Sequence, residues 1–244
     1  MSETTASVDT ITVHARELDA TITGIEDRLA AWAADTGTAL AALSGRVSGK
    51  VSGRVTGAAV DKLIRPVVED LVRTPDGYAA GAGFLANAGL LGPERSYIAW
   101  WQGEELEHVD ALANFSPNSI SRYVRSEWFR VPVETGQAHV TGPYVDFLCT
   151  DEYVLTFTHP VFCRPGGPVV GIVGMDVTVQ RLERGAMPAL RRIGERATLV
   201  NPDGRAIVSA APDIAAGDLT AAAEGCSVHP VGRKFRIWSG ATAL

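Results

Sequence analysis

Five side chains of this 244-residue sequence have the types and spacing to hold a small polar molecule: Trp128, Phe129, Tyr144, Asp146 and Asp176. Side chains alternate faces along a β-strand. Tyr144 and Asp146 stand two apart and share a face. Gly174, Asp176 and Thr178 share another, with Val173, Met175, Val177 and Val179 on the opposite side. The valine-rich side belongs to the core, so Asp176 points away from it. Its neighbour Gly174 leaves room for something to approach. A carboxylate inside a sheet is costly unless paired or hydrogen-bonded. Two carboxylates facing one space offset that cost by holding a cation. An ammonium suits such a place, and an indole or phenol ring adds a cation–π attraction of about 0.5–2 kcal/mol. The alternative for both aspartates is structural, as arginine partners or turn caps.

Other chemistries find less support. His14, His108, His139, His159 and His229 form no HxxxH pair, and no GxSxG, phosphate-loop or dinucleotide-loop context occurs. His159, before Pro160 on a strand edge, reads as structural. Cys149, Cys163 and Cys226 are too few and too irregular for a disulfide framework, and no CxxC is present. Cys149 lies near Asp151, but no histidine can be assigned to it. We expect no catalytic residue, no metal site and no cofactor. The net charge of −6 argues against nucleic acid as a direct partner, because phosphate binding needs a concentrated basic face. The first residues, Met1-Ser2-Glu3-Thr4-Thr5, lack the basic and apolar regions of a signal peptide. No apolar run reaches the roughly 18 residues of a membrane span. The expectation is a cytoplasmic protein without membrane contact.

The elements that must position these residues follow from periodicity. Ile11, Ala15, Leu18, Ile22, Ile25, Leu29, Trp32, Thr36, Ala39 and Leu43 draw a heptad-like stripe on a long helix. That stripe serves either a homodimer seam or the chain's own core. A four-residue repeat from Ser44 to Gly57 aligns glycines on one face and Arg46, Lys50 and Arg54 on another. It is a weak helix or a linker, and its basic row is either solvated or faces an anionic partner. An apolar helical pattern resumes over 58–73, where Pro66 should kink or restart it. Thr74-Pro75-Asp76-Gly77 reads as a turn and a boundary.

Beyond Gly77 the pattern becomes strand-like. Strands are predicted over Tyr78–Leu85, Tyr97–Trp101 and Leu106–Leu112, with a short helix and loop over Ser126–Gln137. His139–Cys149, Tyr153–Phe162 and Val169–Val179, joined by tight turns, form an antiparallel meander. A helix over Gln180–Ile193 and a hairpin of Ala197–Asn201 with Arg205–Ser209 follow. In the alanine- and glycine-rich tail only Lys234–Trp238 looks like a strand. Trp100 and Trp101 read as core.

Residues 78–210 resemble a Cache domain, the PAS-like sensor module of many bacterial receptors. The resemblance rests on Glu127-Trp128-Phe129-Arg130, Gly142-Pro143-Tyr144-Val145-Asp146, Val154-Leu155-Thr156-Phe157-Thr158-His159-Pro160-Val161, Gly171-Ile172-Val173-Gly174-Met175-Asp176-Val177 and Leu199-Val200-Asn201-Pro202-Asp203-Gly204-Arg205, in that order. It implies an α+β fold: a PAS-like antiparallel sheet of about five to six strands with flanking helices, after a long N-terminal helix. The expected division is a helical region over 1–76, a ligand-binding domain over 77–210 and an extension over 211–244.

The amino-acid-binding branch is similar at the pocket. There a tyrosine, an arginine and a tryptophan–aromatic pair bind the carboxylate, and a Tyr-x-Asp pair with a later aspartate holds the amine. Trp128, Phe129, Tyr144, Asp146 and Asp176 match that pattern. Ser126 stands where the arginine is expected, with Arg125 one residue earlier and Arg122 further back. Tyr123 lies closer to Trp128 than in the pattern. A site without the arginine's planar fork keeps its ammonium half and loses its carboxylate half. That favours an amine; if Arg125 turns inward, an amino acid fits. The expected function is a soluble sensor of an amine or amino acid that signals to a separate regulatory output protein. A helical dimerisation adaptor without ligand, or a small-molecule enzyme, is the alternative.

Overall fold

Most of the apolar stripe of the first helix, α1 (Val8–Leu43), is buried within the chain. Ala15, Leu18, Ile22, Ile25, Leu29, Trp32 and Thr36 are all buried in a single copy. These seven positions serve the chain's own core, while Ile11 and Ala39 are half-buried and Leu43 is exposed. The structure is a computed structural model that describes residues 8–45, 55–75, 77–109, 114, 116–145 and 153–244. Ser44 and Gly45 end α1 in a turn, with Ser44 N–H donating to Leu40 O at 3.0 Å. The basic row of Arg46, Lys50 and Arg54 lies outside the described residues, as does Cys149.

Contacts divide the chain into two units, one of Arg28–Thr141 with Thr156–Val177, the other of Met1–Asp27, Gly142–Leu155 and Thr178–Leu244. In the first unit, α2 (Gly57–Arg73) starts at Thr56, whose side chain caps Ala59 N. It continues through Pro66 rather than restarting there. Pro66 is on the exposed side, while Val60, Ile64, Val68, Leu71 and Val72 anchor the other side in the core and offset its cost.

The sheet consists of β1 (Ala79–Ala86), β2 (Tyr97–Gln102), β3 (Glu107–His108), β4 (His139–Val145), β5 (Tyr153–Phe162) and β6 (Val169–Thr178). Their order is β3-β2-β1-β6-β5-β4. β5 and β6 match the predicted spans to within a residue, and the expected meander of β4, β5 and β6 is present. β1 is central because its residues are small: Gly81 and Gly83 allow both neighbours to approach. β3 starts one residue after the predicted Leu106, because Leu106 adopts a left-handed φ of 53° that bends the chain into it; residues 110–112 of the predicted strand lie outside the described residues. Two short helices, α3 (Pro117–Arg125) and α4 (Glu127–Thr135), lie between β3 and β4.

In the second unit, α5 (Val179–Ile193) is capped by Thr178 and packs against a four-stranded sheet of order β10-β11-β7-β8. These strands are β7 (Thr198–Val200), β8 (Ala206–Ser209), β10 (Val228–Val231) and β11 (Phe235–Trp238). β9 (Thr220–Ala222) pairs with β12 (Ala241–Ala243). The tail therefore holds four strands where the pattern predicts one. Each is three or four residues long, too short to show alternation, and is defined by its pairing partner. The β10–β11 turn is tied to α1: Gly232 N–H donates to Asp19 at 2.8 Å, Arg233 N–H to Glu26 at 3.2 Å, and the Arg233 guanidinium pairs with Asp27.

Candidate functional site

Register decides which side chains share a face with Asp176. Gly83 of β1 stands opposite Trp100 of β2 on one side and Gly174 of β6 on the other. Gly81 stands opposite Asp176. Trp100, Gly81, Gly83, Gly174 and Asp176 therefore lie on one face of the sheet. The opposite face carries Phe84, Val173, Met175 and Val177, all buried, as the valine pattern predicts.

The room above Gly174 is not open. A Cβ on Gly174 would stand 2.8 Å from Cη2 of Trp100, one on Gly83 2.8 Å from Cε3, and one on Gly81 3.3 Å from Nε1. The Trp100 indole thus lies across three glycines from two strands. The group for which Gly174 leaves room is thus a ring of the same chain. Trp100 is 4% exposed, consistent with its reading as core, yet it also meets Trp128 with ring centroids 5.8 Å apart at 47°.

Trp128 and Phe129 are consecutive on α4 and so point about 100° apart. Phe129 enters the core, while Trp128 stays half-buried and turns to Trp100. Tyr123 of α3 completes the group edge-on to Trp128, with centroids 6.5 Å apart, and Arg122 lies 5.7 Å over the Tyr123 ring. Glu127, in the first turn of α4, pairs with His139 of β4 at 2.8 Å, and Thr158 of β5 donates to the His139 carbonyl. The first contact ties α4 to the sheet and the second joins β5 to β4 beneath it.

Asp176 is half-buried and accepts a hydrogen bond from Thr156 Oγ1 at 2.7 Å. Ser126, where an arginine is expected by resemblance, has a structural job. Its backbone is extended at φ −62° and ψ 144°, which separates α3 from α4, and its hydroxyl donates back to Arg122 O at 3.0 Å. Arg125 is exposed in the last turn of α3, where its charge suits the helix C-terminus. Tyr144 is half-buried on the part of β4 that belongs to the second unit. Asp146 lies outside the described residues.

The structure thus brings Tyr123, Trp128 and Phe129 together, and sets Asp176 on the sheet face that Trp100 covers. Sequence reasoning missed Trp100 and Thr156. The only signal for Trp100 is the Gly81-x-Gly83 spacing, which tells of a close neighbour without naming it. On β2 and α2 a separate polar group forms, where Tyr97 Oη donates to Asp61 at 2.8 Å. Burial, with that carboxylate beside it, pushes the Tyr97 hydroxyl well above its ordinary range. Among the described residues no group of three or more His, Cys, Asp or Glu side chains is placed to hold a metal ion. No helix among them is long and apolar enough to cross a membrane.

Residues 93–184 match the family model described as methyl-accepting chemotaxis protein-like, first PDC sensor domain. No curated protein matches the sequence. Among solved structures, the ligand-binding domain of the Pseudomonas aeruginosa PAO1 amino acid chemoreceptor PctC, in complex with GABA, is similar at 15% identity. The match covers 97% of this chain and 96% of that one, with a TM-score of 0.55. The ligand-binding domain of the Pseudomonas fluorescens chemoreceptor CtaA with L-valine matches at 15% identity over 98% of both chains, TM-score 0.53. The sensory domain of the Campylobacter jejuni chemoreceptor Tlp3 with isoleucine matches at 13% identity over 96% and 93%, TM-score 0.52. The six-stranded sheet, the long leading helix and these matches agree: the chain has the fold of a Cache/PDC-like sensor domain of the kind chemoreceptors carry.

Proposed function

We propose that this sensor domain binds an organic ammonium compound, an amine first and an amino acid second, and passes the binding event to a separate output protein. The observation that carries the reading is the sheet face shared by Trp100 and Asp176, with the Trp128 ring tilted against Trp100 and Tyr123 edge-on to Trp128. Indole and phenol faces attract a cation, and a carboxylate beside them supplies the counter-charge. The exposed position of Arg125 supports the amine, since no guanidinium fork stands where the amino-acid-binding pattern has one. The amino-acid reading draws on the structural neighbours, whose titles name GABA, L-valine and isoleucine, and on Arg122 over the Tyr123 ring.

Thermal unfolding in the presence of alkylamines, amino acids and simple carboxylates tests it. A ligand at about 100 times its Kd stabilises by about 2.7 kcal/mol. That corresponds to a rise in Tm of roughly 5–10 °C for a chain of this size. The amine hit should disappear in Asp176→Asn and persist in Arg122→Ala. An amino-acid hit should weaken in both. Unchanged affinity in Asp176→Asn removes the proposal.

A further inference from the structure

We propose a second small-molecule site, for a monocarboxylate with an apolar body, in the cavity between α1 and the β5–β6 turn. The cavity measures about 480 Å³, within the size range of small-ligand sites, and lies wholly in the first unit. One wall is a run of small side chains on α1, Ala30, Ala33 and Ala34, at the spacing of one helical face. Facing it are Pro160, Phe162 and Pro165 from the end of β5 and the turn. Gly37 brings α1 so near the Phe162 carbonyl that an added Cβ would collide with it, which fixes the width beside the cavity.

The charged groups at this cavity are one-sided, and the Thr38 hydroxyl that also lines it donates to Ala34 O of its own helix. Arg164 lines it, and its stem is folded back over the turn: a Cβ on Gly167 would stand 2.8 Å from Arg164 Cγ and 3.3 Å from Nε. The side chain is exposed, with its guanidinium at the rim of the cavity. His159 also lines the cavity, with its Nδ1 donating to the Pro160 carbonyl at 3.0 Å, which sets the ring orientation. The lining contains no aspartate or glutamate. A largely apolar groove with one guanidinium at its rim suits a singly charged carboxylate attached to a hydrocarbon or aromatic body. A phosphate would leave most of its oxygens facing alanine and proline, without donors. The site shares no lining residue with the Trp100–Asp176 face.

Cys163 lines this cavity and gives a direct readout. The full chain is alkylated with iodoacetamide, with and without benzoate, and labelling of each cysteine is followed by peptide mass spectrometry. Saturating benzoate should slow labelling of Cys163 at least fivefold and leave Cys226 unchanged. Benzamide, the same shape without charge, should protect at least fivefold less well. Arg164→Gln should lose benzoate protection, and Ala34→Leu, which fills the cavity from its exposed side, should lose it with the fold intact by circular dichroism. Asp176→Asn should keep it, so failure of the ammonium reading leaves this result standing. Absence of protection, equal protection by benzamide, or protection that survives Arg164→Gln overturns the proposal.

Discussion

Asp176 depends on Thr156. Replacing Thr156 by valine keeps the shape and removes the donor at 2.7 Å. A hydrogen bond to a charged group is worth about 1.5–3 kcal/mol when buried. Asp176 is only half-buried, so Thr156→Val should cost about 1 kcal/mol in urea unfolding and should weaken ammonium binding as the carboxylate loses its orientation. No loss in either measurement would show that Thr156 does not position the carboxylate. At this scale the sequence discloses Trp128, Phe129 and Asp176, because residue type and strand parity suffice to find them. It does not disclose Trp100. Which residue of one strand opposes which of another is decided by register, and two glycines two apart are compatible with many crossing rings. Ser126 was legible only as a departure from a pattern. Its role as the break between two helices emerges once its extended backbone is known.

At the scale of elements, α1 carries two glycines whose replacement should act in opposite directions. Alanine is favoured over glycine in a helix by about 1 kcal/mol. A Cβ on the exposed Gly24 would meet nothing within 4 Å, so Gly24→Ala should stabilise the chain by about 0.5–1 kcal/mol. On Gly37 the same atom collides with the Phe162 carbonyl, and backbone cannot swing aside as a side-chain tip can. Overpacking costs about 1–3 kcal/mol, more than the helix preference returns. Gly37→Ala should therefore lower Tm while Gly24→Ala raises it; the same sign for both would refute the close approach of α1 to β5. The elements with strong period were legible to within a residue or two, α1, β5, β6 and α5 among them. The tail strands were not, because three or four residues of alanine, threonine and valine carry no period of their own.

At the scale of the molecule, contacts join parts of the sequence that are far apart. Glu26 on α1 accepts from Arg233 N–H, a pairing 207 residues long within the second unit. Burial raises the Glu26 carboxyl above its ordinary 4.5, against the lowering effect of the Arg233 backbone bond. A proton held more tightly in the folded chain than in the unfolded one contributes stability that is complete below the ordinary value and is lost as pH rises through the raised one. The stability of the chain relative to Glu26→Gln should therefore fall as pH rises from about 4.5 toward neutrality. Urea titrations of both proteins across that window test it, and a relative stability that rises with pH would contradict a buried carboxyl. No sequence pattern announces this closure: the acids on α1 look like an ordinary solvated face until the β10–β11 turn is seated on them.

The Trp100–Trp128 pair has one further consequence, which is optical. Two indoles 5.8 Å apart and inclined at 47° have coupled electronic transitions, and a tilted pair of fixed handedness rotates polarised light as one chromophore. Tyr123, edge-on to Trp128, feeds excitation into it. Of the five tryptophans, this pair alone joins the sheet to the helix above it through ring contact among the described residues. A molecule that parts the rings, or turns one against the other, changes the near-ultraviolet spectrum without any attached label. The protein carries its own dye at the place where its ligand is expected.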